Sequence, residues 1–114
     1  MEYTIVKSSK ELSKIELYKM VVSDANISLG GDCEGAIISA SVWVVYETTD
    51  PSGKPIEVLA ILDGEDGKVY CTISDTFKRH FFDIVKTFDP ELPPIQVIYG
   101  TSRNGRKFVS CTVA

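Results

Sequence analysis

The sequence predicts a mostly β domain, a β-barrel with one helix, from three observations. Apolar and polar residues alternate with a period of two along most of the chain, as in strands with one buried face. Residues 74–94 depart from this period and repeat their apolar positions as an amphipathic helix does. Asn104-Gly105 separates two β-prone runs near the end of the chain, and this dipeptide is a strong signal for a β-hairpin.

The composition indicates one folded, soluble domain over residues 1–114. A chain of 114 residues can bury one modest hydrophobic core but not two. Its hydrophobic share of 44% and charged share of 25% are ordinary for a globular protein. No apolar run approaches the roughly 20 residues of a membrane-spanning helix, and the start MEYTIVKSSK lacks the apolar segment of a secretion signal. We therefore expect a cytoplasmic protein with no membrane partner.

The cysteines favour a reducing compartment and predict neither a metal site nor another cofactor. Cys33, Cys71 and Cys111 are odd in number, widely spaced and outside any CxxC pattern. This pattern argues against a disulfide framework and against a zinc site. Cys71 and Cys111 are expected to be small buried apolar residues. The role of Cys33, close to Gly30 and Gly31, stays open.

The first clear strand is GAIISASVWVVYE, residues 35–47. Alternation places Val42, Val44 and Tyr46 on its apolar face and Trp43 on the opposite, more polar face. The segment TTDPSGKP then supplies proline and glycine for a loop. The earlier part of the chain allows more than one interpretation, with SSKELSKIELYK as a helical turn or loop and YKMVVSDANISL as a first long strand.

The middle of the chain predicts a hairpin followed by the helix. IEVLAIL and VYCTI are expected to pair around DGEDGK, with Tyr70 facing away from the core. Ser74 or Asp75 can cap the start of the helix, and Pro90 stops it. The apolar stripe of this helix consists of Phe77, Phe81, Ile84, Val85 and Phe88.

The last two strands are expected from Ile95 to Tyr99 and from Lys107 to Val113, with Phe108 facing outward. With them the order of elements is that of an OB-like five-stranded barrel, which has its helix between the third and fourth strands. Because strand order in space cannot be read from one sequence, other α+β arrangements stay open.

The C-terminal part also resembles a known protein family. GKVYCTISDTFKRHFFDIVKTF followed by IQVIYGTSRNGRKFVSCTVA is similar to the C-terminal half of the small single-stranded-DNA-binding proteins of phages and mobile elements of Gram-positive bacteria. In that family a strand leads into S-x-T-F and a helix, and the chain closes with a G-T-S-x-x-G-R-x-[FY] hairpin. The matching positions are Ser74, Thr76, Phe77, Gly100, Thr101, Ser102, Gly105, Arg106 and Phe108. The resemblance implies an OB-type fold, sequence-tolerant binding of single-stranded DNA during phage replication or recombination, and no catalysis.

Single-stranded nucleic acid requires cations that track its phosphates and aromatic faces on which its bases stack, the latter worth about 1 to 3 kcal/mol per base. The sequence supplies both kinds of residue. The expected phosphate contacts are Arg103, Arg106 and Lys107 of the last hairpin, extended by Lys54 and Lys68. The expected stacking residues are Trp43, Tyr70 and Phe108.

Each of these residues also has a structural interpretation. The basic residues can form a solvated hairpin tip, and Tyr70 and Phe108 can make cross-strand aromatic pairs. Trp43 can anchor a protein interface, including a homodimer contact. The alternative function is therefore a protein-interaction or inhibitor module, or a virion component, that binds no nucleic acid. Partner proteins from a replication or recombination machinery fit either function.

Two further features bear on the class of function. The net charge of −4 opposes binding of a polyanion, but Asp63, Glu65 and Asp66 are concentrated on a different hairpin from the cations, so a polarised surface is expected. His80 is the single histidine and has no Ser or Cys nucleophile pattern beside it. The sequence therefore predicts a binding protein rather than an enzyme.

Overall fold

A computed structural model of the chain describes residues 2–114 and confirms a mostly β fold. The helices are α1 (Lys14–Leu17) and α2 (Asp75–Phe88), with a π-helical turn at Tyr18–Val22 and a 3₁₀ turn at Gly31–Cys33. The strands are β1 (Thr4–Ser8), β2 (Ile27–Ser28), β3 (Ile37–Ile38), β4 (Ala40–Thr49), β5 (Pro55–Asp63), β6 (Val69–Thr72), β7 (Ile95–Thr101) and β8 (Lys107–Val113). No helix within residues 2–114 is long and apolar enough to cross a membrane.

The strands form two sheets, and their pairings within residues 2–114 do not close into the expected five-stranded barrel. One sheet has five strands in the order β1-β4-β5-β6-β2, and the other has three in the order β3-β7-β8. The short strand β2 pairs in parallel with β6 at Tyr70 and Cys71. This pairing occupies the edge of β6. That edge is therefore not available there to a later strand.

The described chain divides into two compact units, which are treated separately below. The first unit comprises residues 2–28 and Ser41–Ile73 and contains the five-stranded sheet. As the alternation of β4 predicts, Val42, Val44 and Tyr46 lie in its apolar core. The other buried members of this core are Met20, Val21, Val58, Ala60 and Val69.

The segment before β2 is helical rather than a long strand, so the structure has a second helix, α1, where the sequence predicted one helix. Ser13 begins α1 with a capping box, in which its hydroxyl accepts from the Glu16 backbone N–H at 3.1 Å while its own N–H donates to Glu16 Oε1 at 2.9 Å. The bond from the Ser13 backbone and the Lys10 ion pair at 3.0 Å lower the pKa of Glu16. The π-helical turn that follows buries Met20 and Val21 in the core.

The second unit comprises Leu29–Ala40 and Ser74–Ala114, and in it α2 packs against β8. The predicted helix is confirmed, with Ser74 as its N-cap and an end before Pro90. The Ser74 hydroxyl accepts from the Phe77 N–H at 3.1 Å and donates to the Val109 carbonyl at 3.3 Å. Phe77 and Phe81 are fully buried. Ser74 thus both caps the helix and fixes its start against β8.

Replacing Ser74 with alanine is expected to lower the free energy of unfolding by about 1 to 2 kcal/mol, since an N-cap acceptor is lost. Urea denaturation of Ser74→Ala beside the unchanged protein measures this. Ser74→Thr keeps the hydroxyl and is expected to retain most of the stability. Equal loss in both variants would show that the hydroxyl bonds at Ser74 do not stabilise the helix.

Candidate functional site

The last hairpin is confirmed, although its loop is longer than a two-residue turn. Seven consecutive residue pairs join β7 and β8, ending at Thr101 and Lys107. In the loop, the Ser102 N–H donates to the Arg106 carbonyl at 2.8 Å and the Gly105 N–H donates to the Ser102 carbonyl at 3.0 Å. Gly105 has a φ of 77°, a conformation that glycine adopts without strain. The loop therefore closes over Ser102–Arg106, and Arg103, Arg106 and Lys107 are exposed.

A cleft of about 420 Å³ lies between α2 and this hairpin. Both elements belong to the second unit, so the cleft is formed within one compact body. Its lining residues are Thr76, Arg79 and His80 from α2 and Ser102, Arg106, Lys107 and Phe108 from the hairpin. It is the place in the second unit where the predicted hairpin residues meet residues of the helix.

Side-chain hydrogen bonds hold the helix beside the hairpin. His80 Nδ1 and the Ser110 hydroxyl form a hydrogen bond. Ser110 is buried, with 3% of its surface exposed, whereas His80 is half-buried. Together with the Ser74 bond to the Val109 carbonyl, this contact positions the first turns of α2 next to β8. The wall of the cleft formed by Thr76, Arg79 and His80 is thereby fixed.

The charge of the cleft is positive. Arg79, Arg106 and Lys107 contribute three cations, and no acidic residue within residues 2–114 lines it. None of these three cations forms an ion pair with another residue of that range. The Lys107 ammonium donates to Thr101 Oγ1 at 3.1 Å, a bond to a neutral hydroxyl that leaves its charge uncompensated. The cleft is therefore suited to an anion.

Phe108 lies across the hairpin from Gly100, and the two are register partners. A Cβ atom at residue 100 would lie 2.8 Å from Phe108 Cζ and 3.1 Å from Cε1, so the ring packs over the glycine backbone. Phe108 is half-buried and also lines the cleft. The absence of a side chain at Gly100 thus determines where the aromatic ring sits.

Gly100→Ala is expected to displace the Phe108 ring and to lower the free energy of unfolding by about 1 kcal/mol, the low end of the cost of overpacking, because the half-buried ring can move toward the cleft. Gly30→Ala is the control, because its new Cβ would have Asp32 Oδ1 as nearest atom at an ordinary 3.6 Å. The control is expected to change stability by less than about 0.5 kcal/mol. Urea denaturation compares them, and equal effects would contradict the packing of Phe108 on Gly100.

The structure corrects the expected exposure of two aromatic residues. Trp43 is 9% exposed and Tyr70 is 7% exposed, so neither offers an open ring face to a base. Residues 42 to 46 of β4 are buried on both faces of the strand. Alternation therefore gives the correct face for Trp43, but it cannot show that this face is also covered. The Trp43 carbonyl and N–H bond to the Ser9 N–H and hydroxyl at 3.0 Å, which fixes the strand there.

The remaining predicted contacts are distributed over both units. Lys54 lies in the β4–β5 loop and Lys68 in the β5–β6 loop, and both are exposed. Along with Trp43 and Tyr70 they belong to the first unit, whereas Arg103, Arg106, Lys107 and Phe108 belong to the second. Of the eight predicted residues, the cleft brings together Arg106, Lys107 and Phe108.

Sequence reasoning missed the helical side of the cleft. Thr76, Arg79 and His80 are spaced i, i+3 and i+4, so they share one face of α2 beside the apolar stripe. This spacing could have identified them as a group. What the sequence does not show is that this face lies next to the hairpin, because that depends on how α2 packs on β8.

Cys71 and Cys111, which the sequence predicts to be small buried apolar residues, differ in their burial. Cys111 is buried in β8, and burial raises the pKa of its thiol to about 12. Cys71 is half-buried, and burial raises the pKa of its thiol as well. Cys111 is thus buried as predicted, whereas Cys71 is half-buried and packs against the apolar core of the first unit.

No protein family, curated protein or solved structure matches the chain. The likeness to small single-stranded-DNA-binding proteins therefore stays a prediction from the sequence. Assignment of a function rests on the cleft and the hairpin described above.

Proposed function

We propose that the protein binds single-stranded DNA with little sequence preference and serves phage replication or recombination. The observation that carries this proposal is the cleft, whose lining includes three cations without ion pairs and a half-buried aromatic ring. Cations beside an aromatic face are the combination that sequence-tolerant binding of single strands requires. Arg103, at the exposed tip of the same hairpin, adds a further cation for a phosphate of the bound DNA strand.

A single strand suits this site better than a duplex does. Stacking on Phe108 needs a base whose face is open, and bases in a duplex are covered by their neighbours. The cations contact phosphates, which are the same for every sequence. Arg106 and Lys107 therefore supply affinity while Phe108 selects unpaired bases, without preference among them.

The acidic net charge does not oppose this proposal at close range. Asp63, in the first unit, is 4% exposed and its Oδ1 accepts from the Glu65 and Asp66 backbone N–H groups at 2.8 and 3.3 Å. It therefore organises the β5–β6 turn. Repulsion between exposed charges is screened beyond about 10 Å at 0.1 M salt, whereas contacts in the cleft are made at shorter range.

The finer fold assignment within this proposal is an OB-like domain. In support of this assignment, β3 pairs with β7, whereas β4, which follows β3 directly in the chain, pairs with β5. In the chain, α2 follows the long strands β4 and β5 and the shorter β6, and precedes the last hairpin of β7 and β8. We place the protein in the cytoplasm, where replication proteins act.

Binding without catalysis fits the His80–Ser110 contact. A serine beside a histidine is a common nucleophilic pair. Ser110 is 3% exposed, however, so its hydroxyl cannot reach a substrate in this conformation. The pair instead holds α2 against β8, and we assign it a structural role.

Protein–protein interaction is a second candidate, favoured by apolar exposure around α1. Ile15, Tyr18 and Val22 are 69%, 62% and 43% exposed and follow one another at helical spacing. Such a stripe fits a second copy of this chain or a replication or recombination protein. It becomes the leading proposal if the protein fails to bind DNA.

A titration of the protein into fluorescently labelled oligo-dT, followed by anisotropy at low and moderate salt, tests the proposed function. Saturable binding that weakens with salt and is competed equally by unlabelled oligo-dA and oligo-dC is the expected result. Duplex DNA of the same length is expected to compete poorly. No binding at low salt would refute the proposal.

A further inference from the structure

We propose that the cleft between α2 and the last hairpin binds one nucleotide of the strand, with its phosphate at Arg79, Arg106 and Lys107 and its base against Phe108. This inference rests on the proposed single-stranded-DNA binding. It goes beyond that function in two respects. It makes Arg79 and His80 of the helix part of the site, and it defines a pocket for a single nucleotide rather than a continuous charged track.

The phosphate side of the proposal rests on cations from two elements. A solvated hairpin tip needs only the residues of its own loop, whereas Arg79 reaches the cleft from α2. Guanidinium groups match phosphate oxygens with two parallel N–H bonds. Arg79 from α2 and Arg106 from the hairpin both line the cleft, so a phosphate bound there has a guanidinium group from each element as a partner, with Lys107 adding a further cation.

The carboxylates near this wall do not fill the cleft. Asp75, at the first turn of α2, pairs with Lys78 at 3.3 Å and its side chain is fully exposed. Neither Asp75 nor Asp83, one turn after Arg79, is among the lining residues. The cations of the cleft are therefore available to bind an external anion.

The base side of the proposal rests on Phe108. Gly100 supports the ring from the neighbouring strand, so the ring cannot sink into the sheet. Its remaining surface lines the same cleft as the cations. The volume of about 420 Å³ lies within the range of roughly 300 to 1,000 Å³ that is typical of small-ligand pockets. A phosphate alone would leave the aromatic wall without a contact.

The neutral polar groups of the cleft add hydrogen bonds of limited specificity. Thr76 and Ser102 each have a hydroxyl that donates or accepts. His80 Nδ1 is engaged by the Ser110 hydroxyl, so only Nε2 remains for a ligand. Groups that both donate and accept can serve any of the bases, which agrees with binding that tolerates sequence.

The decisive experiment combines a mononucleotide with one helix variant. His80 is the single histidine, so its ring protons give an unambiguous NMR signal at the cleft. We expect millimolar dTMP to shift this signal in a saturable manner, and thymidine or inorganic phosphate at the same concentration to shift it much less. A phosphoserine peptide is expected not to displace dTMP.

The variant Arg79→Ala is compared with Lys86→Ala in the oligo-dT titration. Loss of a charge-assisted contact is expected to weaken binding about tenfold in Arg79→Ala. Lys86 is exposed, lies about two turns further along α2 and does not line the cleft. We expect Lys86→Ala to weaken binding less than about twofold, as a distant, screened charge should.

The outcomes separate this inference from the proposed function. If oligo-dT binds but Arg79→Ala equals Lys86→Ala and dTMP leaves His80 unmoved, the nucleotide pocket is refuted while DNA binding stands. If phosphate alone or the phosphoserine peptide acts as strongly as dTMP, the ligand class is refuted. If oligo-dT does not bind at all, the proposed function fails and the inference fails with it.

Discussion

Phe81→Ala is expected to lower the free energy of unfolding by about 3 to 5 kcal/mol, the usual cost of removing a buried phenylalanine. Phe81 is fully buried on α2. Its ring is stacked near Phe77, with centroids 6.4 Å apart, and meets Phe82 edge-on at 5.3 Å. Truncation removes both aromatic contacts and leaves a cavity at the contact face of the helix. Urea denaturation followed by circular dichroism measures the loss.

Phe88→Ala is the matched control for this prediction. Phe88 ends the same helix but is 41% exposed, so its truncation opens no enclosed cavity. We expect it to cost less than about 1 kcal/mol, in keeping with a substitution near the surface. Equal losses in the two variants would contradict the assignment of Phe81 to the core.

Neutralising the hairpin cations is expected to have the largest effect on binding. The triple variant Arg103→Ala, Arg106→Ala and Lys107→Ala should weaken affinity for oligo-dT, oligo-dA and oligo-dC alike, because phosphates are common to all. Each lost contact is expected to reduce the log–log slope of affinity against salt by about 0.7 on single strands, or by about 2 for all three. Anisotropy titrations at four salt concentrations give the slope.

A control variant changes the net charge equally without touching the hairpin. Lys14, Lys19 and Lys86 are exposed and lie outside the loop and the cleft. Replacing these three by alanine is expected to leave the slope nearly unchanged. If instead both triple variants lowered the slope equally, general charge rather than the hairpin would account for the affinity.

The parts of the fold that sequence predicts are those determined by local chemistry. The Ser74 cap and the apolar stripe define α2, and Gly105 supplies the positive φ of the last loop. The hairpin of β5 and β6 follows from alternation and a turn-forming segment. The capping box of Ser13 and Glu16 is also a local signal, and its S-x-x-E spacing could have decided the opening segment in favour of a helix.

The parts that sequence does not predict depend on distant contacts. The parallel pairing of Ile27 with Tyr70 joins residues far apart in the chain, and neither local pattern requires it. Alternation also cannot show whether the second face of a strand is covered, so it predicts exposed side chains at Trp43 and Tyr70, both of which are buried. The contribution of Arg79 could not be predicted for the same reason, because the packing of α2 on β8 determines which residues lie near it.

The most direct test of the binding site is an NMR titration of the isotope-labelled protein with oligo-dT at low salt. The proposed site predicts that the largest shifts fall on the backbone amides of Arg103 to Phe108 and on those of Thr76, Arg79 and His80. Shifts concentrated elsewhere, for example around Ile15 and Tyr18, would contradict it. So would a spectrum that oligo-dT leaves unchanged.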